Sequence, residues 1–103
     1  MSKLPLSIGL IHFIGIGGIG MSGIAEVLNE LGYNVSGSDI IENSNTERLK
    51  NLNIKVYIGH KNINVHGAQI VIISTAISKN NIELLEAKNK KIPIVHRAEM
   101  LCE

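Results

Sequence analysis

The sequence predicts an α/β fold: a Rossmann-like, doubly wound parallel sheet of about five strands with helices on both faces, in a single domain. Three observations predict it. Short runs rich in isoleucine and valine alternate with stretches of helical periodicity, in the order β-α-β-α-β-β-α-β-α. Aromatic residues make up only 3% of the 103 residues, so branched aliphatics, which favour strands, must fill the core. A glycine cluster, Gly15-Ile16-Gly17-Gly18-Ile19-Gly20, lies between the first apolar run and the first helical stretch.

Ile8 to Ile14 reads as a strand buried on both faces. After the glycines, Met21, Ile24, Ala25, Leu28 and Leu31 fall at helical spacing, and Gly32 stops that helix as a C-terminal cap. Tyr33 to Ser38 is a second strand, ending at Asp39. Ser44-Asn45-Thr46-Glu47 has capping-box spacing and opens a short helix to about Leu52. Lys55 to Ile58 is a third strand and Gln69 to Ser74 a fourth. Asn80 or Asn81 caps a helix to about Lys88. Ile92 to Val95 is a fifth strand, and Arg97 to Leu101 begins another helix. There is no internal repeat and no linker, so residues 1–103 read as one domain.

Apolar residues at 45% and charged residues at 18% suit a folded domain with a real core. The net charge is +1, without a basic run, which argues against a nucleic-acid partner. A single cysteine, Cys102, points to a reducing, cytoplasmic setting and to no intrachain disulfide. Leu4 to Ala25 carries no charged residue and follows Lys3, a pattern that imitates a membrane span or signal peptide. Its glycines, Pro5, His12 and two serines argue against a membrane role.

The glycine cluster carries the chemistry. In the G-x-G-x-x-G reading, Gly15 permits the tight turn. Gly17 lets a pyrophosphate approach the backbone, and Gly20 lets the helix pack on the strand. The amides and dipole of the helix start favour an anion. Asp39, nineteen positions after Gly20, stands where such domains place an acid for a ribose, with a loop cap as the alternative. Ser38 is placed to bond the same ribose or a base. His60, Ser74, Thr75 and Ala76 follow strands three and four, at the sheet edge that faces a ligand crevice; the serine and threonine also fit simple strand termination. His12 reads as a satisfied core or boundary residue, and Glu83 and Glu86 as a solvated helix face. The four histidines and Cys102 show no metal-ligand spacing. No ATP-binding G-x-x-x-x-G-K-[ST] loop, nucleophile elbow or carboxylate pair is present, so no catalytic residue is expected in the chain. On spacing alone, a nicotinamide-binding oxidoreductase domain and a nucleotide-sensing module remain open.

The block from His12 to Ala25, His-Phe-Ile-Gly-Ile-Gly-Gly-Ile-Gly-Met-Ser-Gly-Ile-Ala, resembles the N-terminal signature of the Mur ligase family, in the branch that adds the first amino acid. The resemblance continues through Ser36-Gly37-Ser38-Asp39, Ile58-Gly59-His60, Ser74-Thr75-Ala76-Ile77 and Arg97-Ala98-Glu99-Met100-Leu101. The related branch that recycles murein peptide usually departs from this glycine block and ranks second. The resemblance implies a first domain that binds the UDP part of UDP-N-acetylmuramate. It further implies ATP, magnesium and L-alanine sites in later domains absent from this chain, with no cofactor in this one. The reaction implied is phosphorylation of the muramyl carboxylate and attack of the alanine amine on the acyl phosphate. Carried onto this sequence, Gly15, Gly17, Gly18, Ile19 and Gly20 would hold the diphosphate and Ser38 and Asp39 the uridine. His60, Ser74, Thr75 and Ala76 would flank the diphosphate or sugar. Arg97 would either pair with a phosphate or simply start a helix; Glu99 shares its motif.

Overall fold

The computed structural model describes residues 4–5 and 7–100, the Met100 side chain excepted. Lys3, Leu101 and Cys102 lie outside the described residues. Five strands, β1 (Leu10–Ile14), β2 (Val35–Asp39), β3 (Lys55–Ile58), β4 (Ala68–Ile73) and β5 (Ile94–His96), form one sheet. All neighbours are parallel, in the order β3-β2-β1-β4-β5. The helices are α1 (Met21–Glu30), α2 (Ser44–Asn51), α3 (Ile82–Asn89) and α4 (Arg97–Met100). The expected architecture and element order hold. One addition is a 3-10 turn at Asn62–Val65, between β3 and β4.

The chain enters at the centre of the sheet, winds outward through β2 and β3, then returns past β1 to β4 and β5. Its direction therefore reverses between β1 and β4, the switch point beyond whose strand ends sheets of this kind place a ligand. Alternation along β1 feeds two cores. Ile11 and Phe13 join Val35, Ile70 and Ile72 under Ile24, Ala25 and Leu28 of α1 and Leu49 of α2. Ile14 joins Val71 and Ile73 against Val65, Leu84 and Ala87 on the other face. Full burial of one such aliphatic side chain stabilises the fold by about 1.5–3 kcal/mol.

Helix ends follow local chemistry. Gly32, at φ +99°, ends α1, and the Tyr33 amide donates back to the Leu28 carbonyl. The capping box of α2 sits one residue earlier than its sequence signature. Asn43 is the cap: its Oδ1 accepts from the Thr46 amide at 2.9 Å, and Thr46 Oγ1 accepts from the Asn43 amide at 2.8 Å. Ser44 is thus inside the helix, because the threonine hydroxyl does the work expected of Glu47. Asn81 caps α3, accepting from the amides of Glu83 and Leu84. Asn43→Ala is expected to lower stability by about 1 kcal/mol, read as a shift in the urea midpoint at unchanged slope.

Candidate functional site

The turn after β1 is built by hydrogen bonds to the end of β2. The amides of Gly15 and Ile16 both donate to the Ser38 carbonyl, at 2.8 and 2.9 Å. Gly15 and Gly20 sit at φ +84° and +83°, the left-handed region that favours glycine. Between them Ile16 turns inward, fully buried, onto Gly37 of β2.

Gly17 is held from both sides. Its amide donates to Asp39 Oδ2 at 2.8 Å, and its carbonyl accepts from Asn45 Nδ2 at 3.0 Å and Asn43 Nδ2 at 3.3 Å. A Cβ on Gly17 would fall 2.8 Å from Thr46 Cγ2 and 2.9 Å from Asp39 Oδ2. The glycine therefore makes room for the start of α2, a reason different from the pyrophosphate approach read from spacing. Gly20 differs too: the atoms nearest to a Cβ there would belong to Arg97, Nη1 at 3.0 Å and Cδ at 3.3 Å. Close packing of the turn on the sheet falls instead to Ile16 and Gly37.

What the turn offers a ligand is specific. The amides of Met21 and Ser22 are already bonded to the Gly18 carbonyl. Those of Ile19 and Gly20 have no protein acceptor among the described residues, and the Ile19 side chain is exposed. Arg97 lies over Gly20, and its guanidinium makes no ion pair or hydrogen bond with the described residues. Two unspent amides at a helix start, under a guanidinium, form a cradle for an anion. Glu99, in the same motif, accepts from the His96 amide at 2.8 Å.

The opposite wall is the turn after β4. Ser74 Oγ accepts from the Ala76 amide at 3.3 Å, leaving Thr75 and Ala76 exposed. Ile77 Cδ1 lies 3.0 Å from where a Gly15 Cβ would be, which sets this turn against the glycine turn. A cavity of about 630 Å³ opens on the far side of Ser74 and Thr75, edged by Lys79, Lys88 and His96, and includes no residue of the glycine turn. The fold thus brings together Gly15 to Gly20, Asp39 and Arg97, whereas the turn after β4 meets them through Ile77 and its Ser74 and Thr75 line the cavity on the far side.

Ser38 and His60 belong to a different arrangement, a buried polar network on the α3 face of the sheet. Ser38 is fully buried, so its hydroxyl points away from solvent: Oγ donates to Glu83 Oε1 at 2.7 Å and contacts His60 Nδ1 at 2.9 Å. His12, buried as expected, contacts Ser36 Oγ at 2.8 Å through Nδ1 and Glu83 Oε1 at 2.7 Å through Nε2. Asn64 Nδ2 and the Lys61 amide donate to Glu83 Oε2 at 2.8 and 3.0 Å. Glu83 is therefore no part of a solvated face: it is 0% exposed. Glu86, one helical turn on, is partly exposed and pairs with His66 at 2.8 Å. Burial pushes the Glu83 carboxyl upward, but hydrogen bonds from His12, Asn64 and Ser38, with the attraction of His12, outweigh it and hold the carboxyl at about 2.

The sequence reading missed Asn43, Asn45, Ile77 and Glu83. Three polar residues in strands, His12, Ser36 and Ser38, are the one signal for Glu83, because a buried polar group demands a partner. Among the described residues no three His, Cys, Asp or Glu side chains converge as a metal site. No helix of those residues is long and apolar enough to cross a membrane.

A glycine turn opening a helix at the switch point of a β3-β2-β1-β4-β5 parallel sheet defines a Rossmann-like α/β domain. Residues 10–103 match the model of the Mur ligase family, catalytic domain, and the chain belongs to the Mur ligase family. Over 101 residues, 98% of this chain, it is 60% identical to the UDP-N-acetylmuramate–L-alanine ligase of Brucella anthropi. It is 59% identical, over the same share, to the enzyme of that name from Azorhizobium caulinodans. The chain covers 22% of each, about a fifth of the length of the relatives it matches. Among solved structures, the UDP-N-acetylmuramate–alanine ligase of Thermotoga maritima superposes with a TM-score of 0.85 at 36% identity, covering 88% of this chain and 21% of that one. The UDP-N-acetylmuramate:L-alanyl-gamma-D-glutamyl-meso-diaminopimelate ligase of Neisseria meningitides gives 0.82 at 28% identity, over 92% of this chain and 30% of that one.

Proposed function

We propose that residues 1–103 are the N-terminal domain of a ligase that joins L-alanine to UDP-N-acetylmuramate, and that they bind the UDP part of that substrate. The observation that carries this is the pair of amides, Ile19 and Gly20, at the start of α1 under the Arg97 guanidinium, none of which has a hydrogen-bond partner among the described residues. A diphosphate supplies the charge and the several acceptor oxygens that such a cradle satisfies. The names of the relatives in Brucella anthropi and Azorhizobium caulinodans supply the nucleotide sugar.

In this reading Gly15 to Gly20 shape the turn, and Ile19, Gly20 and Arg97 hold the diphosphate. Asp39 keeps one oxygen on the Gly17 amide and the other on the Ile40 amide at 2.7 Å, and its remaining lone pairs accept from ribose hydroxyls. Ser74, Thr75 and Ala76 face the sugar side. Ser38 acts from below the crevice. ATP and magnesium would be held by parts of the protein outside this chain, which has neither an ATP loop nor a converging carboxylate set among its described residues. ATP would supply the activation of the muramyl carboxylate. The residues here anchor the other end of the same molecule, so they contribute binding and orientation, and a cytoplasmic location follows from the UDP-sugar and ATP substrates.

Titrating UDP into the 15N-labelled chain is expected to give saturable amide shifts at Ile19 and Gly20. Arg97→Ala should weaken UDP about tenfold and flatten its salt dependence. Tight NADH binding with no response to UDP would sink the reading in favour of a nicotinamide domain.

A further inference from the structure

The buried network under the crevice has a direction. An ionised carboxylate only accepts hydrogen bonds. The Ser38 hydroxyl donates its proton in a hydrogen bond to Glu83 Oε1 at 2.7 Å, and that hydroxyl has no second proton to give. Its contact with His60 Nδ1 at 2.9 Å therefore runs the other way, from Nδ1–H to Ser38 Oγ. The 3.4 Å approach of the same nitrogen to Glu83 Oε2 has the same sense. A neutral His60 ring then carries its proton on Nδ1 and a lone pair on Nε2. No described residue hydrogen-bonds Nε2, and no side-chain N or O among the described residues is both buried and unpartnered. Nε2 is thus open to solvent, at the end of β3 and beside β2, whose last residue is Asp39.

We propose that Glu83, acting through Ser38, is a positioning residue that fixes His60 in the Nδ1–H form, so that His60 presents the bound nucleotide with a hydrogen-bond acceptor. A bare ring nitrogen recognises a hydroxyl or an N–H and repels a phosphate oxygen. His60 is thereby assigned to a sugar hydroxyl or the imide N–H of the base, and the diphosphate is left to Ile19, Gly20 and Arg97. The ligand half of this inference rests on the UDP reading; the tautomer does not.

Long-range 1H–15N spectra of the histidine rings, recorded on the ligand-free chain above the imidazole titration, report which nitrogen holds the proton. His60 is expected as Nδ1–H in the wild type. Glu83→Gln and Ser38→Ala each break the relay at a different point. Each should mix the His60 tautomers and weaken UDP about tenfold, while saturating UDP still shifts Ile19 and Gly20. Ser38→Ala keeps the carboxylate and covers the case in which Glu83→Gln fails to fold. An Nε2–H ring in the wild type overturns the inference and leaves the binding site standing. Unchanged tautomer and affinity in both variants also overturns it. No UDP shift at Ile19 or Gly20 removes the ligand half, while an Nδ1–H ring still supports the relay.

Discussion

Glu83→Ala is expected to destabilise the fold by on the order of 3–5 kcal/mol, the largest loss from any single side chain considered. The carboxylate is the common acceptor for His12 Nε2, Ser38 Oγ, Asn64 Nδ2 and the Lys61 amide. Alanine removes all four acceptor contacts at once. An unsatisfied buried donor costs about 1–3 kcal/mol, and the sum falls short of four such penalties because water can enter the space the side chain leaves. Domains of this size are stable by about 5–15 kcal/mol, so the loss is a large share of the whole. Urea unfolding of the two proteins measures it directly. Glu83→Gln keeps one acceptor oxygen and should fall between them. A cost below about 1 kcal/mol for the alanine variant would mean that the network is incidental to folding.

The same carboxyl predicts where acid acts. An ordinary glutamate titrates near 4.5, and Glu83 is held at about 2 in the folded chain. The folded value is the lower one, so the stabilisation is complete above about 4.5 and is lost as pH falls from there toward about 2. The gap corresponds to about 3 kcal/mol. Wild-type stability should therefore drop across that window more steeply than that of Glu83→Gln, and the two curves should converge at its acid end.

The sheet was legible because its signals are local. Apolar runs of strand length, a glycine turn between strand and helix, and Asn or Gly at helix ends each declare themselves within a few residues. That the ends of β1, β2 and β4 share one edge was legible for the same reason, since topology sets it once the strands are known. Glu83 was not legible. A glutamate beside Leu84 and near Glu86 on a short helix looks solvated, and its partner His12 is 71 positions away. Only the placement of polar His12, Ser36 and Ser38 in buried strands hinted at a shared acceptor. Ser38 shows the matching failure: its position at the crevice was readable, but which way its hydroxyl turned depended on Glu83. The reason for Gly17 was hidden likewise, because spacing cannot reveal that the α2 cap, Asn43 to Thr46, occupies the space a side chain would need.

Gly37→Ala is expected to cost about 1–3 kcal/mol and to weaken UDP binding at the same time. A Cβ at Gly37 would lie 2.4 Å from Ile16 Cδ1, 2.5 Å from its Cβ and 2.8 Å from its Cγ1. Rotating the isoleucine relieves the first and third contacts but not the second, because its Cβ is fixed to the backbone of the turn. The strand cannot yield either: Gly37 pairs with Phe13 of β1 and Val56 of β3, so moving it disturbs two ladders. The glycine turn must give way, and with it the bonds from the Gly15 and Ile16 amides to the Ser38 carbonyl. The amides of Ile19 and Gly20 then lose the placement on which the proposed diphosphate contact depends. Shortening Ile16 to alanine removes two of the three collisions, so Gly37→Ala should cost about 1 kcal/mol less in an Ile16→Ala background, although Ile16→Ala alone is destabilising through the cavity it leaves. Strictly additive costs in that double-mutant cycle would show that the turn is not held in place by this contact, and a destabilised Gly37→Ala protein that still shifts Ile19 and Gly20 at wild-type UDP concentrations would separate the geometry of the turn from the packing beneath it.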